Sequence, residues 1–300
     1  MEHQKPQLRD WSILLLLTLI WGFSYYFIKH SLKGFSPWQI GSLRMVLSSL
    51  VLLPFLARAL RTVPAEKYAL ITWVGLLGSF LPAILYPLAQ LRISSSVAGI
   101  VNAFTPICTY LIGMLFFRVR AEKTKIYGTA IGLFGAVVLI LLKPGAELRA
   151  ELAFLLIAFV VPFLYGINSN TIKAKLAGIP GMELTTLMYF STLLMSLPLG
   201  FMTGAFEQIP VAIANGNAFY HLLALSVLGS AMAMTLFNIL IQRVHVLFAS
   251  SVTYLMPLVA LVVGWVDGES IRWNDLFGFS CILAGVAIAN DVFRPKNEAS

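Results

Sequence analysis

Residues Trp11–Ser31, W-S-I-L-L-L-L-T-L-I-W-G-F-S-Y-Y-F-I-K-H-S, and Leu155–Lys175, L-L-I-A-F-V-V-P-F-L-Y-G-I-N-S-N-T-I-K-A-K, decide the fold. Each run is apolar for long enough to cross roughly 30 Å of hydrocarbon at 1.5 Å per residue. Lipid offers no partner to a free backbone group, so a segment of this kind must be helical. The two runs also match one another. A shift of 144 positions lays Gly22 and Lys29 on Gly166 and Lys173, and farther along Gly34 and Pro54 on Gly178 and Pro198.

The whole chain has the composition of these two stretches. Of its 300 residues 59% are hydrophobic and only 11% charged, against about 25% charged in soluble domains. With a mean hydropathy of +0.85, too little polar surface exists to cover a water-soluble globule, and a lipid bilayer is the expected partner. Charge, Gly and Pro punctuation divides the chain into ten apolar segments, near 11–31, 37–57, 68–91, 95–117, 124–143, 150–172, 182–204, 218–242, 247–266 and 273–293. The expected fold is therefore all-α and polytopic, with ten transmembrane helices and no room for an extramembrane domain. Lys5 and Arg9 precede the first segment as they would in a leader, but Trp21, Tyr25 and Tyr26 and the lack of a small-residue cleavage pattern make it a retained span.

The internal match continues to the end of the chain. A shift of 151 lays Gly78, Ser79, Arg92 and Pro106 on Gly229, Ser230, Arg243 and Pro257, and a shift of 150 lays Gly128 and Gly135 on Gly278 and Gly285. Residues 1–143 and 152–300 read as two copies of one five-helix unit, joined by a linker at 144–151. Five is odd, so the second copy enters from the opposite face and the repeats are inverted. Of the loop cations, Lys5, Arg9, Arg58, Arg61, Lys67, Arg118, Arg120, Lys123, Lys125, Lys173, Lys175, Arg243, Arg294 and Lys296 fall on one side, against Lys29, Lys33, Arg92, Lys143, Arg149 and Arg272 on the other. That bias puts both termini in the cytoplasm. The formal charge of +8 is spread over span ends rather than run together with aromatics, so it reads as topology and nucleic acid is not an expected partner. Residues 205–217, with Pro210 and Asn215-Gly216-Asn217, form the longest expected loop.

No catalytic or metal constellation stands inside the spans. His3, His30, His221 and His245 lie near span ends, the carboxylates lie in loops or terminal turns, and Cys108 and Cys281 are isolated in apolar runs. An enzyme is not expected, nor a cofactor or metal. What the spans do carry is aromatic, hydroxyl and amide groups at helical spacing. Trp21, Ser24, Tyr25 and Ile28 fall at i, i+3, i+4 and i+7, and their mates Tyr165, Asn168, Ser169 and Ile172 draw the same face on the sixth segment. The third segment offers Ser79, Pro82, Tyr86 and Gln90, and its mate Ser230, Phe237 and Asn238. The fourth and ninth offer Asn102 and Thr105, then Thr253 and Tyr254, around Pro106 and Pro257. Amides turned to lipid lack partners, so these faces meet one another or water. Each residue taken singly also fits interhelical glue at about 1 kcal/mol; the recurrence in both halves favours a central polar cavity.

Arg44 is the one charge well inside a span, at an insertion cost of about 2.5–3.5 kcal/mol. Its mate is Met188, so the repeat does not need it for packing. A substrate or gate contact and snorkelling to the interface both remain open. Lys29 and Lys173 recur and fit gating or anchoring positions at the two mouths, or plain snorkelling at helix ends. Gly128, Gly132 and Gly135, with Gly278 and Gly285, form small-residue stripes on the fifth and tenth segments, which suit close packing or a homodimer seam.

Trp21-Gly22-Phe23-Ser24, then Lys29, Pro37 and the Arg44 of S-L-R-M-V-L resemble the opening of an EamA domain of the drug/metabolite transporter superfamily. Gly268-Glu269 and the run D-L-F-G-F-S-C-I-L-A-G-V-A-I resemble its close. In the first half Val119 stands where Glu269 stands in the second, with Glu122 displaced, which does not carry a shared acidic gate over. The resemblance implies a ten-helix secondary transporter in the bacterial inner membrane, its cavity lined by the first, third, fourth, sixth, eighth and ninth segments. An interior without a deep carboxylate suits a neutral or zwitterionic, amino-acid-like metabolite better than an organic cation, with export by alternating access. A sugar or nucleotide-sugar carrier of the same fold, or a non-transporting scaffold, is the alternative. Trp21, Tyr25, Tyr86 and Tyr165 are expected to stack on or occlude the solute; Ser24, Asn102, Asn168 and Asn238 are expected to hydrogen-bond it, and Ser79, Gln90, Thr105 and Thr253 complete the set.

Overall fold

The computed structural model describes residues 7–117, 127–128, 130–131, 134–135, 148–243, 252–271 and 273–289, and among these every regular element is a helix. Seven helices are long and apolar enough to cross a membrane: Leu8–Ser31, Pro37–Thr62, Ala65–Ala89, Ser95–Phe116, Leu152–Lys175, Gly181–Met202 and Ala218–Leu240. They fall on expected segments one to four and six to eight. The ninth and tenth segments carry shorter helices, Val252–Val266 and Trp273–Ala289. The fifth lies mostly outside the described residues, although Gly128 and Gly135 of its glycine stripe are described and buried while Gly132 is not; of the expected linker, 144–147 lie outside, and 148–151 already belong to the helix Leu148–Lys175.

Large apolar side chains such as Leu15, Leu19, Leu50, Leu115, Leu194 and Val262 are exposed, whereas Ser24, Ser79, Asn102, Asn168 and Asn238 are buried. This is the reverse of a water-soluble protein. The polar groups have turned away from the lipid-facing surface, as the cost of an unpaired amide in hydrocarbon requires.

Local chemistry explains how the chain turns between spans. After the first helix, Ser36 and Gln39 form a capping box with Pro37 in the first turn, so the chain re-enters at once. Residues 205–217, expected as a loop, instead contain a helix at Ala205–Ala214. It starts from Gly204 in the left-handed region at φ +64°, and Gln208 Nε2 donates to the Gly34 carbonyl at 3.0 Å. The Asn-Gly turn signal marks the end of this helix rather than a longer excursion.

Three interruptions set up the interior. The fourth segment is two helices, Ser95–Asn102 and Thr105–Phe116, broken just before Pro106. The third contains a π-helical turn at Leu76–Phe80 and the eighth another at Leu225–Met232, positions equivalent under the 151-residue shift. Such turns are rare and free a carbonyl for other use.

The halves pack through equivalent close approaches. A Cβ on Gly78 of the third segment would meet the Asn168 amide of the sixth at 2.5 Å, and one on Gly229 of the eighth would meet Ser24 Oγ of the first at 2.7 Å. Asn168 is the repeat mate of Ser24. Likewise Gly22 abuts Val259 of the ninth segment, and its mate Gly166 abuts Cys108 of the fourth. Side chains there would hold the helices apart, which is why glycine recurs.

Ion pairs and hydrogen bonds mark the two ends of the bundle. At one end Asp10, opening the first helix, receives Arg243 Nε from the end of the eighth at 2.8 Å. At that end, too, Lys67 Nζ, at the start of the third segment, donates to the carbonyl of Lys175, where the sixth stops. At the other end Lys29 and His30 close the first helix against Asp267. The first helix therefore stops at the Lys29 end, and its repeat mate stops at the Asp10 end.

Candidate functional site

The interior site is assembled where the interruptions meet the polar faces. Tyr25 on the first helix and Tyr86 on the third meet edge-on with ring centroids 5.4 Å apart, and both are buried. Tyr86 donates its hydroxyl to Asn102 Oδ1 at 2.6 Å. Asn102 is the last residue before the break in the fourth segment, and across that break Thr105 Oγ1 donates to the Asn102 carbonyl at 2.7 Å. The hydroxyl thus serves one of the carbonyls that the break releases.

Arg44 does not snorkel. Its Nε donates to Ser230 Oγ, in the π-turn of the eighth segment, at 2.6 Å. The phenols of Tyr25, Tyr165 and Tyr189 lie within electrostatic reach of its guanidinium. No carboxylate among the described residues forms an ion pair with it. The Tyr189 phenol approaches the hydroxyls of both Ser79 and Ser230; beside Gly78, the Oδ1 of Asn168 is buried without a hydrogen-bond partner. Natural proteins rarely leave such groups unpaired.

Several other expected residues have structural partners. Trp21 Nε1 donates to the Gly229 carbonyl at 3.1 Å and its ring packs on Phe237 at 5.2 Å, so it seals the freed carbonyl of the π-turn. Ser24 donates back to the Ile20 carbonyl. Asn238 Nδ2 is taken by Thr185 Oγ1 at 2.7 Å, which joins the eighth segment to the seventh. Gln90 caps the end of the third segment with both amide atoms buried and unpaired. Thr253 is half-buried and Pro257 buried in the ninth, and Pro106 starts the second half of the fourth. Lys173 is exposed at the Asp10 end. The structure thus brings Tyr25, Arg44, Ser79, Tyr86, Asn102, Thr105, Tyr165 and Asn168 into one region and leaves Lys29, Lys173, Asn238 and Gln90 outside it.

A second feature was not expected. At the Lys29 end Glu269 accepts from Ser95 N and Oγ and from Ser96 N and Oγ at 2.6–3.0 Å. These residues open the fourth segment, where backbone amides are free and the helix dipole favours an anion. Lys29 Nζ lies 3.0 Å from the same carboxylate and also pairs with Asp267, which His30 contacts at 2.9 Å. Burial pushes the Glu269 carboxyl up, but the bonds from Ser95, Ser96 and Lys29 outweigh it and hold it below the usual glutamate range. Asp267 is held low in the same way, burial being overcome by Lys29 and His30. The clasp ties the first segment, the fourth segment and the turn after the ninth.

The EamA-like transporter family model matches residues 11–141 and again 152–290. Over 296 residues the chain is 24% identical to the uncharacterized inner membrane transporter YedA of Escherichia coli K12, covering 92% of this chain and 88% of that one. It is 26% identical to a probable terminal-alkyne amino-acid exporter of Streptantibioticus cattleyicolor, with 92% of each chain covered. It is 25% identical to an S-adenosylmethionine/S-adenosylhomocysteine transporter of Chlamydia trachomatis, covering 94% of this chain and 89% of that one. With the two matches spanning nearly its whole length, the chain belongs to the EamA-like transporter family, a branch of the drug/metabolite transporters, and is a membrane transporter rather than an enzyme.

Proposed function

We propose that the chain exports a small neutral or zwitterionic, amino-acid-like metabolite by alternating access. The proposed carrier has ten membrane helices in two inverted five-helix units, 1–143 and 152–300, joined at 144–151. It lies in the bacterial inner membrane with both termini cytoplasmic. The observation that carries this reading is the polar group of buried Tyr25, Tyr86 and Asn102 with half-buried Arg44, set at a broken helix and between two π-turns. Discontinuous helices around a midplane site are how secondary transporters meet a solute without exposing backbone to lipid.

Support for the inversion comes from the first helix and its mate, which stop at opposite ends of the bundle, and from the paired approaches Gly78–Asn168 and Gly229–Ser24. Two relatives carry names of amino-acid-type solutes, which supports that substrate class for this chain. In the proposed cycle one set of end contacts holds while the other opens: the Glu269 clasp at one mouth, and Asp10–Arg243 with Arg58–Glu183 at the other. Tyr86 and Asn102 keep the core together between openings.

The test is counterflow in proteoliposomes with a labelled amino-acid panel. Exchange of at least one member, reduced by Tyr86→Phe and Asn168→Leu without loss of folded protein, is the expected result. Absence of exchange for every member overturns the amino-acid reading, and exchange untouched by both substitutions overturns the assignment of this core.

A further inference from the structure

We propose that the Arg44 guanidinium is the docking point for the carboxylate of the transported solute, and that Ser79 and Asn168 receive its polar remainder. The inference rests on the transport reading above and names the anionic group that the site recognises.

The argument begins with a broken symmetry. Ser230 and Ser79 are repeat mates, one in each π-turn. Ser230 accepts from Arg44. The position equivalent to Arg44 in the second half is Met188, which has no donor to offer, and Ser79, buried at 6% exposure, makes no hydrogen bond of good geometry, with only the Tyr189 phenol close to it. Asn168, at 7% exposure, has an equally unpaired amide oxygen, held there because Gly78 has no side chain to displace it. One side of the core thus presents a cation and the other two unsatisfied polar atoms.

The guanidinium is only partly used. It has five N–H donors in a planar fork, and Ser230 takes the one on Nε. No described carboxylate pairs with the guanidinium, and its planar fork suits bidentate capture of a carboxylate. A mid-span charge without a carboxylate partner is costly to keep, and its Ser230 tether fixes it inside the bundle instead of letting it reach the interface. The unpaired Asn168 oxygen and Ser79 hydroxyl can accept from an ammonium. A cation and nearby acceptors together fit a zwitterion carried carboxylate-first to Arg44.

The experiment compares acids with their neutral amides on the purified full chain. Binding is read from the thermal shift produced by L-phenylalanine against L-phenylalaninamide, and by phenylacetate against phenylacetamide. Hydrogen bonds to a charged group predict that the acid of each pair binds roughly ten- to a hundred-fold more tightly. Arg44→Gln should abolish that preference, Arg44→Lys should keep part of it, and Ser230→Ala, which leaves the charge but frees the fork, should weaken it. Equal binding of acid and amide, a preference that survives Arg44→Gln, or no binding by any acid overturns the proposal. The two readings separate cleanly. Arg44-dependent binding of phenylacetate without any amino-acid counterflow sinks the amino-acid substrate and keeps the carboxylate dock, whereas counterflow with no acid preference does the reverse.

Discussion

Glu269→Gln tests the closed end of the bundle with a nearly isosteric change. The carboxylate accepts four hydrogen bonds from Ser95 and Ser96 and faces Lys29 at 3.0 Å, with its side chain only 7% exposed. Glutamine keeps one acceptor oxygen, so about two of the four charge-assisted bonds are lost together with the ion pair. At about 1.5 kcal/mol for each such bond, the loss is about 3 kcal/mol, or roughly a hundred-fold in the balance between closed and open ends. The reporter is a cysteine at Ile93, which is buried at 4% exposure two residues before Ser95, in a chain freed of Cys108 and Cys281. Its reaction rate with a membrane-impermeant maleimide follows the open fraction. Glu269→Gln should raise that rate by one to two orders of magnitude. A change of less than about two-fold, with the protein still folded, would show that the clasp does not hold the end shut.

Three further outcomes follow. The carboxyls of Asp267 and Glu269 are both held low, so their stabilisation is complete above the unfolded value near about 4 and disappears as pH falls through the lower folded values; the gap in thermal midpoint between the parent chain and Glu269→Gln should therefore be constant from neutral to about pH 5 and close in stronger acid, and a gap that closes nearer neutrality would contradict this. Asp10→Asn, which weakens the pair with Arg243 at 2.8 Å, should on the order of 1 kcal/mol favour opening of the other end, read as faster labelling of Leu240→Cys with Ile93→Cys unchanged; the opposite pattern would refute the assignment of ends. Gly75→Ala places a Cβ 2.8 Å from the Met188 carbonyl oxygen, and because backbone cannot yield as a side chain can, it should cost about 1–3 kcal/mol and lower the thermal midpoint; an unchanged midpoint would refute that contact.

The buried polar positions most readily read from sequence are those for which lipid leaves little choice. Tyr25, Tyr86, Asn102 and Asn168 are polar groups in apolar runs, and comparing the halves separated them from chance. The same comparison hid Tyr189, whose mate is Met45, although Thr185, Tyr189, Thr192 and Ser196 form a buried polar stripe at helical spacing that could have revealed it. The π-turns at Ser79 and Ser230 add one residue to a turn, a change too small to disturb hydropathy periodicity. The clasp was hidden for another reason: Ser95, Lys29 and Glu269 lie far apart in sequence, and only packing shows that an acid in a loop caps a distant helix. Arg44 is the intermediate case. Its place inside a span could be read from the sequence, but its direction depended on Ser230, and that contact exists only because the second and eighth segments pack together.

The central proposition is that two copies of one unit stand upside down relative to each other around the polar core. Lys33 and Ala177 test it most directly, since they are equivalent under the 144-residue shift, are both exposed, and follow the first and sixth segments. Single cysteines at these positions, labelled in intact cells and in inverted vesicles with a membrane-impermeant maleimide, should react from opposite sides of the membrane. Reaction of both from the same side would contradict the inversion.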